Sequence, residues 1–81
     1  MYKENFAPRI KAKREELGLS QNEVAALTDI PQAKLSKIET GKQEPTLEDL
    51  GRLAQLYNTS LNWLLGVVTE QEPIPRKNVV G

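Results

Sequence analysis

The chain has 81 residues, no cysteine and no histidine, and its eleven Lys and Arg balance eleven Asp and Glu. That length allows one domain near the lower limit for a self-sufficient core, and the missing residue types exclude disulfides, thiolate or imidazole metal sites and His-based triads within it. Neutral charge gives no support for a nucleic-acid binder, which usually carries a basic excess, so any such reading must come from where the charges sit.

The apolar spacing predicts helix throughout, with no sustained period-2 alternation. The first helix is expected to start near Asn5, a good N-cap, and to run to Leu17, with Pro8 in its first turn and Gly18 as its stop. Phe6, Ile10 and Leu17 mark its apolar stripe, and Arg14 falls on that stripe. The second helix starts at Ser20, with Glu23 completing a capping box, and ends near Thr28. The third runs from Pro31 or Gln32 to Thr40 and stops at Gly41. The fourth has Thr46 as N-cap and Asp49 at the box position, and reaches Tyr57 before Asn58. A short fifth helix is capped by Ser60 and stopped by Gly66.

Helices below ~12 residues are marginal alone in water. The second and third must therefore be held by the others, and the short connections suit a compact all-α domain. After Gly66 the stretch "VVTEQEPIPRKNVVG" has two prolines and no helical stripe. Residues 67–81 read as an extended or disordered tail, with a linker or a dimer arm as the sharper alternatives. No apolar run approaches the ~20 residues of a membrane span, and there is no signal-peptide pattern, so the expected location is cytoplasmic.

Leu35 and Ile38 define the buried face of the third helix, and Glu39 borders it. A charge on an apolar face is costly unless paired. Arg14 and Glu39 therefore suggest a bidentate ion pair between helices, the alternative being that both side chains snorkel to water. The opposite face carries Gln32, Ala33, Ser36, Lys37 and Thr40, flanked by Lys34, and contains no acid. Such residues can reach base edges in a DNA major groove, although a solvated face would look the same. Catalysis is not expected: without His or Cys it would need carboxylates such as Glu15 and Glu16, and adjacent helix residues do not face each other. No metal or other cofactor is expected.

From Ile10 to Gly66 the residues carry a resemblance. "IKAKREELGLSQNEVAALTDI" and "LSKIETGKQEPTLEDLGRLAQLYNTSLNWLLG" resemble, in one register, the helix-turn-helix domain of the phage-repressor and Cro type, the Xre-like family of bacterial regulators. The resemblance implies a five-helix, lambda-repressor-like DNA-binding domain over residues 5–66, with the helix-turn-helix at about 21–40. It implies base contacts from Gln32, Ala33, Lys34, Ser36 and Lys37, and phosphate contacts from Gln21, Lys42 and Thr46. Arg14 and Glu39 match the family's structural ion pair. The implied function is a sequence-specific transcriptional regulator, bacterial or phage-encoded and most often a repressor, that binds an inverted repeat of double-stranded DNA as a homodimer. An antitoxin-like or assembly module, with the tail engaging a protein partner, is the alternative. Trp63, Leu64 and Leu65 are expected to bury the fourth helix and to form part of the dimer contact.

Three positions depart from the family pattern. Asp29 stands in the turn where Gly is common, Pro31 replaces the usual Ser or Thr cap of the third helix, and Glu44 lies close to the expected phosphate backbone. Lys34, Lys37 and Lys42, with Arg9, Lys11 and Lys13 of the first helix, are the cations expected to offset that acid and the overall neutrality.

Overall fold

Capping and reversal signals delimit the helices, and apolar burial holds them together. The computed structural model describes residues 3–66, with side chains from Phe6 onward; the expectations placed on 67–81 lie outside the described residues. Five helices occur among them: α1 (Lys3–Glu16), α2 (Gln21–Thr28), α3 (Gln32–Glu39), α4 (Leu47–Tyr57) and α5 (Leu61–Leu64). None is long and apolar enough to cross a membrane.

Helix α1 begins before Asn5, so Pro8 lies inside the helix rather than in its first turn. Proline there removes one i→i−4 hydrogen bond, but its ring faces solvent while Phe6, Ala7 and Ile10 are buried beside it. Packing has outweighed the local preference. The far end of α1 also differs from expectation. Gly18 adopts φ 72°, with its N–H donating to the Glu15 carbonyl and that of Leu19 donating to the Arg14 carbonyl, a Schellman reversal. The reversal swings the chain so that Leu19 packs against the core, whereas Leu17, expected on the stripe, is 49% exposed.

Helices α2, α4 and α5 start at the expected Ser20, Thr46 and Ser60, and each hydroxyl accepts from a backbone N–H three residues on. Asp29 and Asn58 terminate α2 and α4 in the left-handed conformation at φ 62° and 52°. Asp and Asn tolerate that region better than other residues with a Cβ, so Asp29 makes the turn in which glycine is usual. The core brings together Ile10 of α1, Val24 of α2, Leu35 and Ile38 of α3, Leu50 and Leu53 of α4 and Leu64 of α5, with Ile30 from the α2–α3 turn. Each such side chain contributes roughly 1.5–3 kcal/mol on leaving water. Helix α3 packs against α1 and α2, leaving its remaining face outward.

Candidate nucleic-acid interface

The turn that presents α3 is built from short polar residues. Thr28 Oγ1 donates to the Val24 carbonyl at 2.7 Å and accepts from the Ile30 N–H at 3.3 Å, while Ile30 itself is buried. Pro31 occupies the N-cap position of α3 and provides no side-chain cap. Its carbonyl still accepts from Leu35 N–H at 2.9 Å, so the first turn closes. With Leu35, Ile38 and Glu39 buried, α3 leaves Gln32, Ala33 and Lys37 exposed and Ser36 half-buried.

Glu39 is the polar centre behind that face. Arg14 Nε donates to its Oε2 at 2.8 Å and Arg14 Nη2 to its Oε1 at 3.0 Å, a bidentate pair joining α1 to α3. Arg14 Nη1 donates to the Leu19 carbonyl at 2.8 Å, holding the α1–α2 turn as well. The hydrogen bonds to Glu39 raise the guanidinium pKa, and burial opposes them less strongly. Gln21, the first residue of α2, donates from Nε2 to Glu39 Oε1 at 3.0 Å. Its Oε1 accepts from Gln32 Nε2 at 2.7 Å. A hydrogen-bonded chain thus runs from α1 through Glu39 and Gln21 to the outward face of α3.

Other expected site residues are placed less simply. Lys34 Nζ lies 2.8 Å from Asp49 Oδ2, which joins α3 to the start of α4 and draws that ammonium off the outward face. Thr46 Oγ1 is occupied as the α4 cap, accepting from Asp49 N–H at 3.0 Å. Lys42 is exposed just beyond the Gly41 reversal, its backbone N–H bound to the Lys37 carbonyl at 2.8 Å, so these two side chains flank the end of α3. Arg9 and Lys13 turn to the α1–α5 seam. The Arg9 guanidinium lies 4.9 Å from the Trp63 ring centroid and donates to the Trp63 carbonyl at 3.0 Å, and Lys13 Nζ lies 5.8 Å from the same ring. Trp63 and Leu64 are themselves buried in the chain's own core and Leu65 is half-buried, so Trp63 and Leu64 present little surface to a second chain.

Two features carried weak sequence signals. The Gln21–Gln32 contact spans two helices and has no local spacing to mark it. An open groove of about 690 Å³ lies along α4 and α5, lined by Gly51, Arg52, Ala54, Gln55, Leu61 and others. Its clue was Gly51, a glycine within a helix where, among the described residues, nothing lies within 4 Å of the position of a Cβ.

Comparison with known proteins agrees with this architecture. Residues 10–64 match the helix-turn-helix family. The chain is 33% identical over 74 residues to the HTH-type transcriptional regulator ImmR of Bacillus subtilis (strain 168), covering 91% of this chain and 55% of ImmR. It is 42% identical over 55 residues to the ImmF control region 10 kDa protein of Bacillus phage phi105, covering 68% and 61% respectively. The chain therefore spans less than two thirds of either relative. Among solved structures, SinR, described as the master regulator for biofilm formation, in complex with DNA matches with a TM-score of 0.70 and 31% identity over 74% of this chain and 97% of that one. The SinR–SinI protein complex matches with a TM-score of 0.71 and 31% identity, over 74% and 59%. Apo-HppE also matches, with a TM-score of 0.70 and 29% identity over 80% of this chain and 36% of that one.

Proposed function

The chain belongs to the helix-turn-helix family, and from that premise we propose that it is a sequence-specific DNA-binding transcriptional regulator of repressor type. The observation that carries the reading is the outward face of α3, where Gln32, Ala33, Ser36 and Lys37 stand beside Gln21 at the start of α2. Short, polar and free of acids, this face suits a major groove, with Gln32 and Lys37 reaching base edges and Ala33 and Ser36 allowing close approach. Gln21 has a second amide N–H beyond the one bound to Glu39, and with Lys42 it would hold the phosphate backbone. Lys34 and Thr46, engaged with Asp49, are secondary contacts in this reading. SinR was solved on DNA with the same fold. The reading is of a binding protein rather than an enzyme.

Few cations line the face, so non-specific affinity would be modest. A dimer would compensate by making the second half-site contact effectively intramolecular. With Trp63 and Leu64 internal, the surface we assign to a second copy is the α4–α5 groove, where Leu61 remains 38% exposed beside Gly51 and Arg52. The same groove is the one observation that favours the second reading, a protein-interaction module. Selection of bound duplexes from random DNA, with sedimentation of the chain alone and on the selected site, separates the two. An inverted repeat with half-site centres about 10–10.5 base pairs apart, or a multiple of one turn, bound by two chains supports the regulator. No selected sequence, with binding to a protein instead, supports the module.

A further inference from the structure

The lysines around α3 are not equally placed to meet an outside anion. Lys37 and Lys42 stand exposed near its C-terminal end, while Lys34, in its first turn, is half-buried. The Lys34 ammonium lies 2.8 Å from Asp49 Oδ2, and the same oxygen accepts from the Thr46 N–H at 3.1 Å. Asp49 is the third residue of α4, where the free N–H groups of a helix start favour negative charge. The two partners face unequal alternatives. The Lys34 side chain is 26% exposed and can exchange Asp49 for water or for another anion. The Asp49 side chain is 9% exposed, and without Lys34 it keeps the Thr46 N–H but no compensating charge. An anion that takes Lys34 must therefore offset the charge left behind.

We propose that Asp49 competes with the DNA backbone for Lys34 and so holds the chain's sequence-independent affinity below what its cations would otherwise give. The inference rests on the reading of α3 as the DNA-reading helix and decides which of its neighbouring cations count. A lysine–phosphate contact gains mainly by releasing a counterion, and that gain shrinks as salt rises. The Asp49 carboxylate is an internal anion at contact distance, largely shielded from solvent and so less screened by salt. Transfer of Lys34 from Asp49 to a phosphate replaces one ion pair by another, and little net affinity results. The carboxylate also remains behind as a negative charge beside the backbone. Lys37 and Lys42 bring their full charge to the DNA from an exposed starting point. A weak sequence-independent term suits a protein that must find one site among a large excess of others. Asp49 is a positioning residue in this scheme, acting through Lys34.

The test measures binding of the full chain to a selected duplex and to random duplex as salt is varied. Wild type, Asp49→Asn, Lys34→Met and the double variant are compared. Asparagine keeps an oxygen for the Thr46 N–H, and circular dichroism checks that each variant folds. Where Asp49→Asn fails to fold, Asp49→Ser, whose hydroxyl can accept the same N–H, takes its place. Asp49→Asn should bind both duplexes about 5-fold more tightly than the wild type at about 50 mM salt, and less than about twofold more tightly at about 200 mM. Its salt slope should steepen by about 0.9 per chain, a readout that a purely structural role would not move. Lys34→Met should weaken binding several-fold more in the Asp49→Asn background than in the wild type. A folded Asp49→Asn that binds no more tightly than the wild type overturns the inference. So does a gain that survives Lys34→Met, which would be an effect of net charge alone, and so does a gain confined to the selected duplex, which would make Lys34 a base contact. A wild-type chain that binds neither duplex overturns instead the reading of α3, and this inference with it.

Discussion

Helix α3 is tied at both ends by ion pairs, and the two are of different kinds. At its C-terminal end the Glu39 side chain is 1% exposed and accepts two hydrogen bonds from Arg14 and one from Gln21, so α1, α2 and α3 meet at one carboxylate. In its first turn Lys34, 26% exposed, makes a single 2.8 Å contact with Asp49 of α4. Opposite charges occur at both ends, but dryness and the number of bonds per charge differ. A buried charge stripped of its charged partner is strongly destabilising, whereas Lys34 can turn to water and the Asp49 carboxylate, 9% exposed, keeps the Thr46 N–H as a donor when Lys34 is lost. The first pair should behave as a joint of the fold and the second as a strap.

The largest effect should come from halving the buried pair. Glu39→Ala leaves the Arg14 guanidinium with the Leu19 carbonyl as its remaining acceptor among those described above. We expect a loss of about 3 kcal/mol in urea unfolding, at the low end of the usual range because Arg14 keeps that bond. The double replacement Arg14→Met with Glu39→Leu should return to within about 1 kcal/mol of the wild type. Additive losses from the two single alanine variants in a double-mutant cycle would mean the charges act independently, and the contrast between the two ends would collapse.

The strap predicts a smaller effect with a definite sign in pH. Burial alone would push the Asp49 carboxyl up, but the Lys34 ammonium and the Thr46 N–H and hydroxyl outweigh it and hold the pKa below the ordinary carboxylate value. A group depressed on folding stabilises above its unfolded pKa of about 3.9, and that contribution disappears as pH falls through the folded value. Stability should therefore drop more steeply below about pH 4 in the wild type than in Asp49→Asn. At neutral pH, Lys34→Met should cost no more than about 1 kcal/mol. Parallel pH profiles for wild type and Asp49→Asn would remove the carboxylate from this role.

The smallest effect sharpens the comparison at the dry end. Tyr57 is buried, and its Oη has no hydrogen-bond partner among the described residues. Burial, with the field of Glu39, holds its pKa well above the usual phenol value, while Arg14 opposes the shift. A buried hydroxyl without a partner costs desolvation and returns nothing, so Tyr57→Phe should unfold within about 0.5 kcal/mol of the wild type or slightly above it. A loss beyond about 1 kcal/mol would mean that the hydroxyl is hydrogen-bonded in solution and belongs to the polar cluster.

Features set within one turn of helix were legible in the chain itself. The hydroxyl caps at Ser20, Thr46 and Ser60 and the reversals at Gly18, Gly41 and Asn58 each depend on a few neighbouring residues, because an N-terminal N–H or a C-terminal carbonyl finds its partner within three to five positions. Arg14 and Glu39 could be paired from sequence because Arg14 falls on the apolar stripe of its helix and Glu39 borders that of its own, and because both match the ion pair of the family the chain resembles. What lay beyond this range was decided by packing. Leu19 rather than Leu17 reached the core once Gly18 had turned the chain, Pro8 was carried inside α1 by the burial around it, and Trp63 and Leu64, expected to cover α4, are buried so fully between α1 and α4 that they leave little surface for the expected contact with a second chain. The partners of long polar side chains follow the same rule. Lys34 meets Asp49, and Gln32 meets Gln21, only because the tertiary arrangement brings separate helices together. Short-range periodicity specifies which face of a helix is apolar, but which group stands opposite a given side chain depends on the crossing of elements far apart in the chain.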